Sequence, residues 1–245
     1  MRLPLSRAVV DRLDLLDETG STNAILVQRA RSGTEQEFSV VATTSQTAGR
    51  GRLGRTWVAP PGKTIAASVL LTPSEGDRLS WLPLLAGLAM TRAVRSLVPD
   101  HAVTLKWPND VQVDGLKVSG LLAELVPGVG VVIGAGLNLT MAAEELPTPV
   151  STSLTLVGAS PDDLVDRALA AYLRELRGLY DGWVAGADIR AQVAAECSTI
   201  GRSVRVELPS GDDLYGTATD IDGEGRLIVD GHTVAAGDVT HLRYV

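Results

Sequence analysis

Apolar residues recur along this chain in two periods, near two and near 3.6, and the switches between them outline its elements. Leu13 to Leu16 reads as a short strand. Ser21 is placed to cap a helix from about Thr22 to Ala30, stopped near Gly33. Phe38 to Thr43 has the β-branched texture of a buried strand. The stretch Ser45 to Gly62, polar and rich in Gly, Arg and Pro, is expected to be mostly loop, and Thr64 to Leu71 returns to strand. Between Leu79 and Leu97 the spacing of Leu82, Leu85, Ala86, Ala89 and Ala93 predicts a long helix with one apolar face. Val103 to Trp107 is a strand halted by Pro108. Asn109 to Val113 and Lys117 to Leu125 form a hairpin across Asp114-Gly115, and Val129 to Leu139 is a further strand. Pro161 is expected at the first position of a helix through Leu179, followed by a helical segment from Ile189 to Cys197. Beyond Gly201 the texture changes to short strands between Gly/Asp turns, at Ser203–Leu208, Leu214–Ile221, Arg226–Val229, Thr233–Ala235 and Thr240–Tyr244. Their regular spacing predicts a small β-barrel.

Composition narrows the classes. The 245 residues are 45% hydrophobic and 21% charged, enough for a core and unlike a disordered chain. The net charge of −7 disfavours a general polyanion binder without excluding a local basic site. Residues 201–245 carry four arginines against eight acidic residues, which argues against a nucleic-acid-binding barrel. The single cysteine, Cys197, excludes an intramolecular disulfide and favours a cytoplasmic setting. The start has no secretory apolar segment, and the longest apolar run, Leu79 to Met90, is too short for a membrane span. The three histidines are scattered and make no zinc set, so any metal ligands stay unassigned.

Four segments could carry chemistry. Gly49 to Arg55, with Arg50, Arg52 and Arg55 between Gly49, Gly51 and Gly54, places permanent cations on backbone that a ligand can approach closely. It suits phosphate or carboxylate oxygens, although a solvated basic loop has the same composition. Lys106-Trp107-Pro108-Asn109-Asp110 sets a cation, an aromatic and two hydrogen-bonding side chains at a strand end, where Trp107 could equally be core. Lys117 heads an apolar strand as an edge residue or, aimed into the same cavity, as a point charge beside Gly120. Gly134 to Asn138 introduces glycine into a strand, either as a bulge or because something must come close.

In order, Ser21-Thr22-Asn23, Gln46, Ala48 to Arg55, Trp57, Lys106 to Asp110, Lys117 with Gly120, and Gly134 to Asn138 resemble the biotin protein ligases. The likeness is strong over about residues 13–140 and one of layout beyond. It implies an α+β fold: a mixed β-sheet catalytic domain flanked by helices (1–200), with a small C-terminal SH3-like β-barrel (201–245). It implies the short class without an N-terminal DNA-binding domain, hence no nucleic acid among the partners; the short apolar runs argue for no membrane either. The implied activity is ATP-dependent conversion of biotin to biotinyl-5'-AMP, then transfer to a specific lysine of a biotin carboxyl carrier protein. Mg2+ would accompany ATP.

The resemblance also implies roles. Ser21, Thr22, Asn23, Gln46, Gly49, Arg50, Gly51, Arg52, Lys117 and Gly120 would bind biotin. Arg52, Arg55, Trp57, Lys106, Asn109, Asp110, Lys117 and Asn138 would bind ATP and the adenylate, with Trp57 near adenine and Asn138 hydrogen-bonding to it. Lys117, Arg52 and Arg55 would be catalytic, and Asp110 or Lys117 could serve as general base. The Gly49–Arg55 loop is expected to order around the adenylate and keep water from it. A lipoate ligase or octanoyl transferase is the nearest rival, and a non-catalytic biotin or carrier binder the rival of another class. Sheet edges could serve a homodimer or, by strand addition, the carrier.

Overall fold

The structure is a computed structural model that describes residues 1–74 and 78–242. Its first part runs α1 (Pro4–Arg7), β1 (Leu13–Leu16), α2 (Thr22–Arg31), β2 (Val40–Thr43), β3 (Gln46–Arg50), β4 (Thr56–Ala59), β5 (Thr64–Leu71) and α3 (Leu82–Leu97). Then come β6 (Val103–Lys106), β7 (Asp110–Val113), β8 (Leu116–Val126), β9 (Gly130–Asn138), α4 (Leu164–Val184) and α5 (Ile189–Glu196). The last strands are β10 (Ser203–Glu207), β11 (Asp213–Ile221), β12 (Leu227–Val229), β13 (His232–Val234) and β14 (Asp238–His241).

Seven strands make a mixed sheet in the order β1-β2-β5-β9-β8-β7-β6. β1 and β2 are parallel, and every other neighbouring pair is antiparallel. Because side chains alternate across a strand, the sheet builds two unequal cores. Ile133, Ala135 and Leu137 of β9 join the large core with α3 and α4, whereas Val132 joins the small one, where Leu26 and Ala30 of α2 meet Val41 and Leu70. α3 is buried at 11 of its 16 positions because it lies between the sheet and α4, which explains an apolar run wider than one face. The Asp114-Gly115 turn has positive φ at both residues (51° and 80°), as a two-residue hairpin requires.

Several sequence expectations need correction. Ser45 to Gly62 is not mostly loop: β3 and β4 pair as a hairpin around a single 3-10 turn at Arg52–Gly54. Phe38 stands outside its strand with φ of 61°. Pro161 does not open α4, since Asp163 adopts a left-handed φ of 48° that no continuous helix can include, and the helix begins at Leu164. Part of the Thr240–Tyr244 strand lies outside the described residues; the described part is β14, ending at His241.

The largest correction concerns the C-terminal barrel. Its five strands form an open sheet, β13-β12-β11-β10-β14, and among the described residues none of the three sheets closes. Only residues 235–237 link β13 to β14, so the sheet must curl enough for three residues to bridge its two ends. Yet β14 pairs with β10 and β13 with β12, and among the described residues no ladder joins β13 to β14. Strand spacing predicted the number and order of strands; closure depends on register between the first and last, which spacing does not encode.

Candidate active site

A cleft of about 660 Å³ opens between the sheet face that carries α2, the β3–β4 hairpin and the C-terminal sheet. Its floor is built by pairing. Ala66 and Ser68 of β5 stand opposite Gly136 and Gly134 of β9, which stand opposite Gly120 and Leu122 of β8. All therefore share one face, and the glycines leave it open. A Cβ at Gly136 would lie 2.3 Å from Cε2 of the Trp57 indole, and one at Gly120 would lie 3.3 Å from Cζ3 of the same ring. Trp57 thus lies flat across the Gly120–Gly136 pair, with its buried Nε1 unpaired.

At one end the floor meets a neutral hydrogen-bonding pocket. Ser21 caps α2, its Oγ accepting from Ala24 N–H, and the helix start turns Thr22 and Asn23 inward. Gln46 Oε1 accepts from the Thr22 backbone N–H at 3.0 Å. The Ser68 hydroxyl lies 2.8 Å from Thr22 Oγ1 and 2.6 Å from Asn23 Oδ1. Asn23 Nδ2 donates to Glu124 Oε2 at 2.7 Å, and that carboxylate also receives Arg50 Nη2 at 3.1 Å. A Cβ at Gly134 would fall 2.3 Å from Asn23 Oδ1, so this glycine makes the whole chain of contacts fit.

The other end is cationic. Lys106 stands opposite Asp110 and Asp110 opposite Gly120, which puts all three on the cleft face. Simple alternation would send Lys117 to the opposite face from Gly120. A bulge in β8 at Val118, where the partners step from Val111↔Ser119 to Gln112↔Lys117, restores it. Lys117 Nζ consequently reaches Asp110 Oδ1 at 2.6 Å and sits 6.0 Å from the Trp57 ring centroid. Burial pushes the Lys106 ammonium below its usual range, against the opposing pull of Asp110. Burial likewise lowers the Arg52 guanidinium, which donates to Asn109 Oδ1 at 3.3 Å and to the Gly237 carbonyl at 3.4 Å. Asn138 is buried and donates from Nδ2 to the Thr152 carbonyl at 2.9 Å, tying down the segment beside Lys117.

Every expected site residue lines this cleft except Gly49. Gly49 instead lets the hairpin close, since a Cβ there would lie 2.5 Å from the Trp57 carbonyl and 2.6 Å from Gln46 Nε2. Trp107 is core: it is buried, and its Nε1 donates to the Gly225 carbonyl, pinning the C-terminal sheet. Sequence reasoning missed Ser68, hidden in an apolar strand, and Arg202, Asp238 and His241, which come from the residue before β10 and from β14, far along the chain.

His241 sits near Lys106, its Nε2 3.1 Å from Thr199 Oγ1. Burial first, then the positive charges of Lys106 and Arg202, push its pKa down to about 4. The unfolded chain binds that proton near pH 6.5 and the folded chain only near 4, so stability falls as pH drops through this window. Thermal melts from pH 7 to 4.5 should therefore show a loss that His241→Asn reduces, by about 2 kcal/mol after screening. Parallel curves for the two proteins would contradict the buried neutral imidazole.

With this geometry in place, comparison with known proteins identifies the fold and its use. The family model for the Biotin/lipoate A/B protein ligase family matches residues 15–138, and that for the Biotin protein ligase C terminal domain matches 199–242. The chain belongs to the biotin protein ligase family. It is 44% identical over 247 residues to the biotin--[acetyl-CoA-carboxylase] ligase of Mycobacterium tuberculosis, covering 95% of this chain and 90% of that one. Among solved structures, the Aquifex aeolicus biotin protein ligase in complex with biotin and ATP shares the fold, with a TM-score of 0.79 at 24% identity over 96% of this chain and 100% of that one. The Leishmania major biotin protein ligase in complex with biotinyl-5-AMP has a TM-score of 0.60 at 26% identity, over 96% and 100%.

Proposed function

We propose that the two ends of this cleft divide the work of biotin activation, the neutral pocket holding biotin and the cationic end holding ATP. The chain is a biotin protein ligase: it activates biotin with ATP as biotinyl-5'-AMP and transfers biotin to a biotin carrier protein. The observation that carries the division is the convergence of five cationic side chains (Arg52, Arg55, Lys106, Lys117 and Arg202) on a cleft whose far end is hydrogen-bonding, the cation there, Arg50, being paired with Glu124.

The chemistry follows from charge. An anionic carboxylate must approach a polyanion, and fixed cations offset that repulsion where charge develops. Thr22, Asn23 and Gln46 are placed to exchange hydrogen bonds with the ureido group. Lys117 stands at the middle of the floor, where the biotin carboxylate meets the α-phosphorus, and Arg52 and Arg55 flank the phosphates from the hairpin. Trp57 on its glycine floor offers the adenine a flat apolar surface, beside Asn138. Mg2+ would come bound to ATP and would offset charge on its phosphates; among the described residues no group of three or more His, Cys, Asp or Glu could hold the ion by itself. In the second step the carrier lysine attacks as its neutral amine, and Asp110, already 2.6 Å from one ammonium, is placed to take the proton.

We assign residues 1–200 to catalysis and 201–245 to a C-terminal unit that walls the cleft. Among the described residues no helix is long and apolar enough to cross a membrane. A cytoplasmic setting is supported by the single buried cysteine, and the net charge of −7 supports a protein without a nucleic-acid partner. For a homodimer or an added carrier strand, β1 ends one side of the main sheet, whereas the β6 end is covered by its bridge to Cys197. The direct test is biotin transfer to an isolated carrier domain, with ATP and magnesium omitted in turn. Labelling should require both, and lipoate should not substitute; equal labelling with lipoate would overturn the choice of substrate.

A further inference from the structure

The C-terminal sheet does more than wall the cleft. β14 is held against β10 by pairing of Asp238 with Glu207 and of Val239 with Val206, and Val239 is buried. Just before it, a Cβ at Gly237 would lie 2.6 Å from Val206 Cγ1 and 3.0 Å from the Glu207 carbonyl, so the backbone here is pressed onto its neighbour. From this fixed post the Gly237 carbonyl accepts from Arg52 Nη1, and the Asp238 carboxylate accepts from Arg55 Nη2 at 2.5 Å. The hairpin turn between those arginines is itself closed by Gly51 N–H to the Arg55 carbonyl at 2.7 Å and Arg55 N–H to the Arg52 carbonyl at 3.1 Å. At its cationic end, among the described residues, the cleft is lined by two carboxylates, Asp110 and Asp238. The first pairs with Lys117 inside the main sheet, and the second reaches across from the C-terminal one.

We infer that Asp238 is a positioning residue that competes with the nucleotide: its carboxylate parks the arginine hairpin, and incoming phosphates must take Arg55 from it. The inference rests on the reading of Arg52 and Arg55 as phosphate-side cations. A carboxylate and a phosphate want the same N–H edge of a guanidinium, so one displaces the other. Asp238 and Asp110 both raise the proton affinity of Arg52, Arg55 and Lys106, so they share the counter-charge of that end, and only Asp238 holds Arg55 directly. The C-terminal sheet thereby sets ATP affinity through a segment it does not contain.

The test compares Asp238→Asn, Asp238→Glu, Arg55→Ala and the Asp238→Asn/Arg55→Ala double variant in steady-state biotinylation. Trypsin digestion, with and without a non-hydrolysable ATP analogue, serves as a readout apart from turnover. Asp238→Asn should lower the ATP KM about threefold, the scale of a partly exposed ion pair, with kcat and the biotin KM unchanged. Cleavage after Arg50, Arg52 or Arg55 should accelerate without nucleotide and be suppressed again by the analogue. Asp238→Glu should return both values toward wild type, and in the double variant the ATP KM should match Arg55→Ala alone. An ATP KM that is unchanged or raised in Asp238→Asn, while Arg55→Ala still raises it, would overturn the inference and leave the phosphate reading standing. If Arg55→Ala also leaves the ATP KM unchanged, the phosphate reading falls and takes the inference with it. A kcat loss in Asp238→Asn that Glu does not restore would reduce the residue to a structural post.

Discussion

Replacing Lys117 by alanine should slow formation of biotinyl-5'-AMP by about 10²- to 10³-fold, the usual loss when one fixed charge is removed from a developing anion. The fold should survive it. Lys117 is partly exposed, and its ion pair with Asp110 is near the surface, so little stability resides there. Charge alone should not rescue it. A guanidinium at 117 would need more room than the site allows, because the lysine tip already sits 3.2 Å from where a Gly120 Cβ would be, with the Trp57 ring close by. Lys117→Arg should therefore recover only a small part of the rate. Single-turnover release of pyrophosphate, read beside a thermal melt, separates the two effects; adenylation at the wild-type rate in Lys117→Ala would remove Lys117 from the reaction.

The second large effect is expected at Gly134, which touches no substrate in this assignment. An alanine there would drive its Cβ into Asn23 Oδ1 and break the chain running from Ser68 through Asn23 and Glu124 to Arg50. Networks of this kind fail as units, since the groups freed at the buried end, Ser68 and Asn23, are left without partners. The biotin KM should rise by about 10- to 100-fold, corresponding to the 1–3 kcal/mol cost of a buried unsatisfied group, while the ATP KM holds. Initial rates with each substrate varied in turn would show the split. A parallel rise in both constants would mean that the two ends are not separate.

The sequence was most readable where a local rule decides the outcome. Ser21 before a helical run, Asp114-Gly115 between two apolar segments and the apolar run Thr64 to Leu71 each became the predicted element. The cationic residues were legible as types, because arginines among glycines have few other uses. Their convergence was not. Lys117 reaches the cleft only through a one-residue bulge, and a bulge is a property of pairing that the strand's own residues do not announce. Ser68 read as part of an apolar strand because its polarity is satisfied from another element. Asp238 and His241 belong to a sheet whose position over the site depends on contacts such as that of Trp107 with Gly225. The arginine segment read as loop for a similar reason: its strands pair chiefly with each other, and Gly49 removes the side chain that would mark a strand.

The most direct measurement is a crystal structure of this chain with a non-hydrolysable biotinyl-adenylate analogue. The ureido ring should lie within hydrogen-bond distance of Thr22, Asn23 and Gln46, with the phosphate against Lys117 and the adenine beside Trp57 and Asn138. Arg55 should have left Asp238 only where a triphosphate, rather than the adenylate, is bound. An analogue seated in the reverse direction, or outside the Gly120–Gly136 floor, would contradict the division of the cleft.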